Sequence, residues 1–63
     1  MQKNKLLAII VERGLTQKEV AKALKMTPKT FYSKMKKGVF GTDEVKTMIE
    51  LLEIKNPSEI FLS

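Results

Sequence analysis

The stretch Pro28-Lys29-Thr30-Phe31-Tyr32-Ser33-Lys34-Met35-Lys36-Lys37 holds most of the chemistry this chain can offer. Its side chains are ammonium groups, hydroxyls and one phenol. A lysine ammonium donates three hydrogen bonds and accepts none, whereas Ser, Thr and Tyr hydroxyls do both. Such a set recognises acceptor-rich, negatively charged partners without making or breaking a covalent bond. The chain contains no His and no Cys, which removes the imidazole general base, the thiol nucleophile and the usual zinc ligands. Its carboxylates stand singly on faces expected to meet solvent, and Gly38-Val39-Phe40-Gly41 lacks the spacing of a phosphate-binding loop. The sequence therefore reads as a non-enzyme with no cofactor, no metal and no small-molecule substrate.

Charge is distributed unevenly. Residues 1–38 carry ten Lys or Arg against Glu12 and Glu19, a net of +8, while residues 39–63 carry Lys46 and Lys55 against five acids, a net of −3. Like charges gathered on one part of a folded surface focus a field that attracts polyanions. At 63 residues the chain is expected to form one domain, 1–63. A domain of this size buries only about 60% of the surface its unfolded chain exposes. Without cysteine no disulfide can help, so short-range helical contacts must hold the fold. The longest apolar run, Leu6–Val11, is far short of the roughly 20 residues of a membrane span. Met1–Lys5 is not followed by a signal-peptide pattern. The expectation is a soluble cytoplasmic domain with no membrane partner.

Five helices fit the sequence, and no segment alternates with the period of a strand. A first helix is predicted over Lys3–Arg13, with Leu6, Ile9 and Ile10 on its buried stripe and one of Leu7 and Val11 left exposed. Gly14 suits the left-handed position after a helix. Thr16 opens a second helix as N-cap, with Glu19 completing a capping box and Val20, Ala21 and Leu24 facing inward. Ala21 lets two short helices approach closely. Lys25-Met26 forms a turn with Met26 inward. Thr27 then caps a third helix over 28–37, with Pro28 at its first position. Phe31 and Met35 form its core side and Gly38 ends it. Phe40 tucks back from a loop, and Thr42 caps a fourth helix carrying Val45, Met48, Ile49 and Leu52. Ile54 closes the packing. Asn56-Pro57-Ser58-Glu59 begins a short fifth helix, predicted to turn Ile60 and Phe61 inward.

The motif Leu15-Thr16-Gln17, Val20-Ala21, Leu24, Met26-Thr27 and Thr30-Phe31, with Phe40, Thr42 and an amphipathic fourth helix behind it, resembles the Cro and lambda-repressor type of helix-turn-helix regulators of phages and bacteria. The resemblance spans nearly the whole chain and is densest in Leu15–Gly38. It implies an all-α, compact five-helix lambda-repressor-like DNA-binding domain, with the helix-turn-helix at the second and third helices. It further implies sequence-specific binding of double-stranded DNA by a small transcriptional regulator of phage or prophage origin, with the third helix in the major groove. Two positions depart from the family. Lys25 stands where the turn usually has Gly, so either Lys25 takes a positive φ or the turn differs. Lys34 stands where the family tends to have an apolar residue, with Met35 taking over that role.

By this resemblance Pro28, Lys29, Tyr32 and Ser33 are the candidates for base contact. Lys29 can donate to guanine, Ser33 can donate or accept, and Pro28 can touch a thymine methyl. Tyr32 has two settings, on the DNA backbone or over the protein's own core. Gln17 matches the family's phosphate-binding glutamine. Thr27, Thr30, Lys34, Lys36 and Lys37 are further phosphate candidates. Regulators of this type pair on half-sites about 34 Å apart, which leaves open a weak homodimer or a monomer that pairs only on DNA. The competing reading is a protein-binding or antitoxin-like helical module that does not act through DNA, with Ile60, Phe61 and Leu62 as an apolar contact rather than core.

Overall fold

The local signals above translate directly into helix ends in the computed structural model, which describes residues 1–62. All regular structure among the described residues is helical: α1 (Lys3–Glu12), α2 (Gln17–Ala23), α3 (Pro28–Lys37), α4 (Thr42–Leu52) and α5 (Pro57–Phe61). At α2 the capping box forms in full, with Glu19 N–H donating to Thr16 Oγ1 at 3.2 Å and Thr16 N–H donating to Glu19 Oε1 at 2.9 Å. At α3 the Thr30 N–H donates to Thr27 Oγ1 at 3.2 Å, and Pro28 takes the first helical position.

Two predicted ends shift, and a third keeps its place without its side-chain bond. Arg13 is the C-cap of α1 rather than its last helical residue. Thr42 does not cap α4: Gly41 is the N-cap and Thr42 the first helical residue. Gly41 has no side chain to offer, so Glu44 does the work, accepting the Gly41 N–H at 2.7 Å. At α5 the Asn56 side chain makes no cap hydrogen bond; only its backbone carbonyl accepts, from Glu59 N–H at 3.1 Å.

The core is built from Leu6 and Ile10 of α1, Val20 and Ala21 of α2, Phe31 and Met35 of α3, Met48 and Leu52 of α4, with Ile54 and Ile60 closing it. Of the pair left open, Val11 is the exposed one and Leu7 packs against the core. Ile9, Leu24, Met26, Phe40 and Phe61 flank the core half-buried. Leu62 is 83% exposed, so only Ile60 of the C-terminal apolar trio is truly core. The chain ends are tied together by a Gln2 N–H donating to Ile60 O at 2.7 Å.

Every helix from α1 to α4 ends in the same way. A residue of positive φ follows the helix, at Gly14, Lys25, Gly38 and Glu53. The next amide then reaches back to a carbonyl five residues earlier: Leu15 to Ile10 at 3.1 Å, Met26 to Ala21 at 3.0 Å, Val39 to Lys34 at 3.1 Å and Ile54 to Ile49 at 3.0 Å. This is the Schellman closure, which satisfies carbonyls the helix leaves without partners. Two of the four left-handed positions are filled by glycine. Lys25, at φ 60°, is not, so of the two alternatives open for this turn the lysine takes the positive φ.

A side chain held in that region costs roughly 1 kcal/mol, part of which glycine gives back through the greater freedom of its unfolded chain. Lys25→Gly is therefore expected to raise stability by a net of about 0.5 kcal/mol, a rise in Tm of roughly 2–4 °C for a domain this small. Thermal unfolding followed by circular dichroism measures it, and a lower Tm would contradict the strained turn.

Candidate nucleic-acid interface

The orientation of α3 follows from its two buried side chains. At about 100° per residue, Phe31 and Met35 point one way, and Lys29, Ser33 and Lys36 fall within about 60° of one another on the opposite side. Phe31 is fully buried and Met35 nearly so. Lys29, Thr30, Tyr32, Ser33, Lys36 and Lys37 are exposed. Behind them, Ala21 is fully buried, and α2 lies closely against α3. Of the predicted base-contact candidates, Lys29 and Ser33 thus share one solvent-facing stripe with Lys36, whereas Tyr32 and Pro28 lie to one side of it, toward the core.

Individual side chains refine that picture. Tyr32 lies over the protein's own core in part: its ring meets the edge of Phe31 at 6.3 Å and 69°, while 44% of the residue stays exposed. Pro28 is half-buried, so its outer edge alone is offered. Thr27 and Thr30 are coupled, the Thr27 hydroxyl donating to Thr30 Oγ1 at 3.0 Å. The Thr30 proton is thereby left to donate outward. Gln17, half-buried, begins α2.

Lys34 departs from the free charge predicted for it. It sits at the edge between core and solvent faces, and its Nζ donates to both Glu44 carboxylate oxygens, at 2.9 and 2.7 Å. Lys34 and the Gly41 N–H together hold the Glu44 carboxyl below the usual carboxylate range, the hydrogen bond from Lys34 contributing most.

Three further cations counted toward the basic surface are also engaged within the protein. Arg13 Nε donates to Leu52 O at 2.7 Å and its Nη2 to Glu53 O at 3.3 Å, closing the C-terminus of α4 from α1. Lys3 Nζ donates to Lys36 O at 3.3 Å. Lys5 pairs with Glu59 at 2.8 Å, and this hydrogen bond lowers the Glu59 pKa. Of the ten cations in residues 1–38, Lys18, Lys22, Lys25, Lys29, Lys36 and Lys37 have no such acceptor, and all six lie on α2, α3 or the turn between them. The cationic surface is thus narrower than composition suggests, and centred on the helix-turn-helix.

A groove of about 470 Å³ lies elsewhere, between α1 and α5 beside Lys5, Ile9, Arg13, Glu53 and Glu59. Lys5 and Glu59 satisfy one another there, and Arg13 is committed to α4. No group of acids suited to holding a metal occurs among the described residues, and no helix among them is long and apolar enough to cross a membrane. No protein-family model matches the chain, and no curated protein or solved structure matches it significantly.

Proposed function

We propose that this chain binds double-stranded DNA sequence-specifically as a small Cro- or repressor-like transcriptional regulator, with α3 lying in the major groove. The observation that supports this reading most is the solvent-facing stripe of α3. There Lys29, Ser33 and Lys36 stand together without an internal partner, on a helix braced by α2. A cylinder of this kind, with donors along one side and a rigid attachment on the other, fits the groove in which base edges are distinguishable. Lys29, Ser33, Tyr32 and the exposed edge of Pro28 meet base edges. Gln17, Thr27, Thr30, Lys36 and Lys37 meet phosphates and set the register.

The two roles separate by experiment. Lys29→Ala is expected to relax preference at one or two base pairs, costing roughly 1–3 kcal/mol on the selected sequence and little on random DNA. Lys36→Ala is expected to weaken all duplexes alike. Titration of both variants against a duplex selected from a random pool and against a scrambled duplex decides the matter. Equal losses on both DNAs for both variants contradict the assignment.

A second reading, a protein-binding or antitoxin-like module, draws on Leu62 and Val11, which are 83% and 74% exposed. Binding through those side chains would be nearly indifferent to salt, whereas binding through α3 would not.

A further inference from the structure

On the reading that α3 enters the major groove, we propose that Lys34 and Glu44 form a positioning pair. It fixes the rotation of α3 about its own axis, so that sequence discrimination depends on a carboxylate that never touches DNA. The geometry is specific. Glu44 stands in the first turn of α4 and receives three hydrogen bonds: two from Lys34 at 2.9 and 2.7 Å and one from the Gly41 backbone at 2.7 Å. The Gly41 bond anchors the carboxylate to the start of α4, and the Lys34 bonds carry that anchorage onto α3.

The two side chains of this pair are only 35% and 22% exposed, against 51% and 54% for Lys5 and Glu59 at nearly the same separation. A partly buried pair is screened less by solvent and salt than an exposed one. Lys34 also flanks Phe31 and Met35, about 60° and 100° round the helix from each. Apolar packing holds α3 against the core, but smooth side chains resist rotation poorly; a directional pair at the rim resists it directly. On a helix whose side chains reach about 6 Å from its axis, a 10° rotation moves the head groups by about 1 Å. That displacement spoils hydrogen bonds to base edges, which are confined to about 2.7–3.2 Å, while long lysines still reach phosphates. Loss of the pair should therefore cost discrimination before it costs affinity.

The test compares wild type with Lys34→Met, Glu44→Gln and Lys36→Gln, measuring affinity for the selected and scrambled duplexes across a salt series. Lys36→Gln is expected to flatten the dependence of log affinity on log salt by about 0.9. Lys34→Met is expected to leave that slope unchanged while lowering the ratio of selected to scrambled binding roughly fivefold or more, the low end for one lost bidentate base contact. Glu44→Gln, which releases the lysine, is expected to lower the ratio similarly and to steepen the slope.

A Lys34→Met slope that falls as far as that of Lys36→Gln overturns the proposal, because Lys34 would then be a phosphate contact. So does an unchanged ratio in both pair variants. A wild-type protein whose duplex binding ignores salt overturns the DNA reading, and the pair's role with it. Should the variants not fold, the wild type alone still decides. The Lys34 side-chain ammonium resonance is expected to keep its Glu44-bonded position when the selected duplex is added, and a shift on saturation refutes the proposal.

Discussion

Phe31→Ala is expected to leave the domain marginally stable at best at 25 °C. Phe31 is fully buried, the largest such side chain in the core, and its ring lies 5.5 Å from that of Phe40, tilted by 49°. It is also the residue through which α3 is seated, since only Met35 joins it on the inner face of that helix. Truncating a buried phenylalanine typically costs about 3–5 kcal/mol, combining lost transfer energy with the cavity left behind. Native domains hold roughly 0.05–0.15 kcal/mol per residue, so a chain of this size has about 3–9 kcal/mol in total. The substitution removes from about a third to all of it, and about two-thirds at the middle of both ranges. Phe31→Leu, which keeps much of the volume, is expected to stay folded with a loss of about 1–2 kcal/mol. Urea unfolding of both variants measures the difference. A loss under about 1 kcal/mol for the alanine variant would mean that α3 is not held by this side chain, and the rigid presentation of its outer face would fall with it.

What was legible in the sequence is what depends on neighbours a few residues apart. Thr16 and Glu19 are three residues apart, as are Thr27 and Thr30, and both sets of cap bonds form as their spacing predicts. The outer stripe of α3 was legible for the same reason: once Phe31 and Met35 are inward, the helical period fixes where Lys29, Ser33 and Lys36 must point. Interactions across long sequence separations were not legible. Arg13 reaches a carbonyl 39 residues away and Lys3 one 33 residues away, and nothing local marks either as other than a surface charge. Lys34 falls between these cases. Its angle places it at the rim of the core, where a lysine either extends to solvent or bends to a partner. The choice was made by Glu44, which the sequence presents only as an acid suited to the start of a helix. Thr42 illustrates the same limit, since preference for a threonine cap was overridden one residue earlier by the Gly41–Glu44 bond.

Raising salt from 50 to 200 mM is expected to weaken duplex binding by roughly 12-fold, as follows from about two neutralised phosphates and a slope near −0.9 for each. The number two comes from α3, where Lys36 and Lys37 have no internal acceptor, while Lys29 is assigned to base edges and Lys34 is engaged by Glu44. Counting every cation of residues 1–38 would predict a far steeper response. Arg13, Lys3 and Lys5 are also committed inside the protein, and Lys18, Lys22 and Lys25 belong to α2 and its turn, outside the reading stripe. Scrambled DNA is expected to share the slope and differ only in intercept, because phosphates are common to all sequences and base edges are not. A slope near zero would favour an apolar interaction through Val11 or Leu62 instead. A slope beyond about −5 would mean that the α2 lysines also reach the backbone, and the protein would then wrap the duplex more broadly than through one helix.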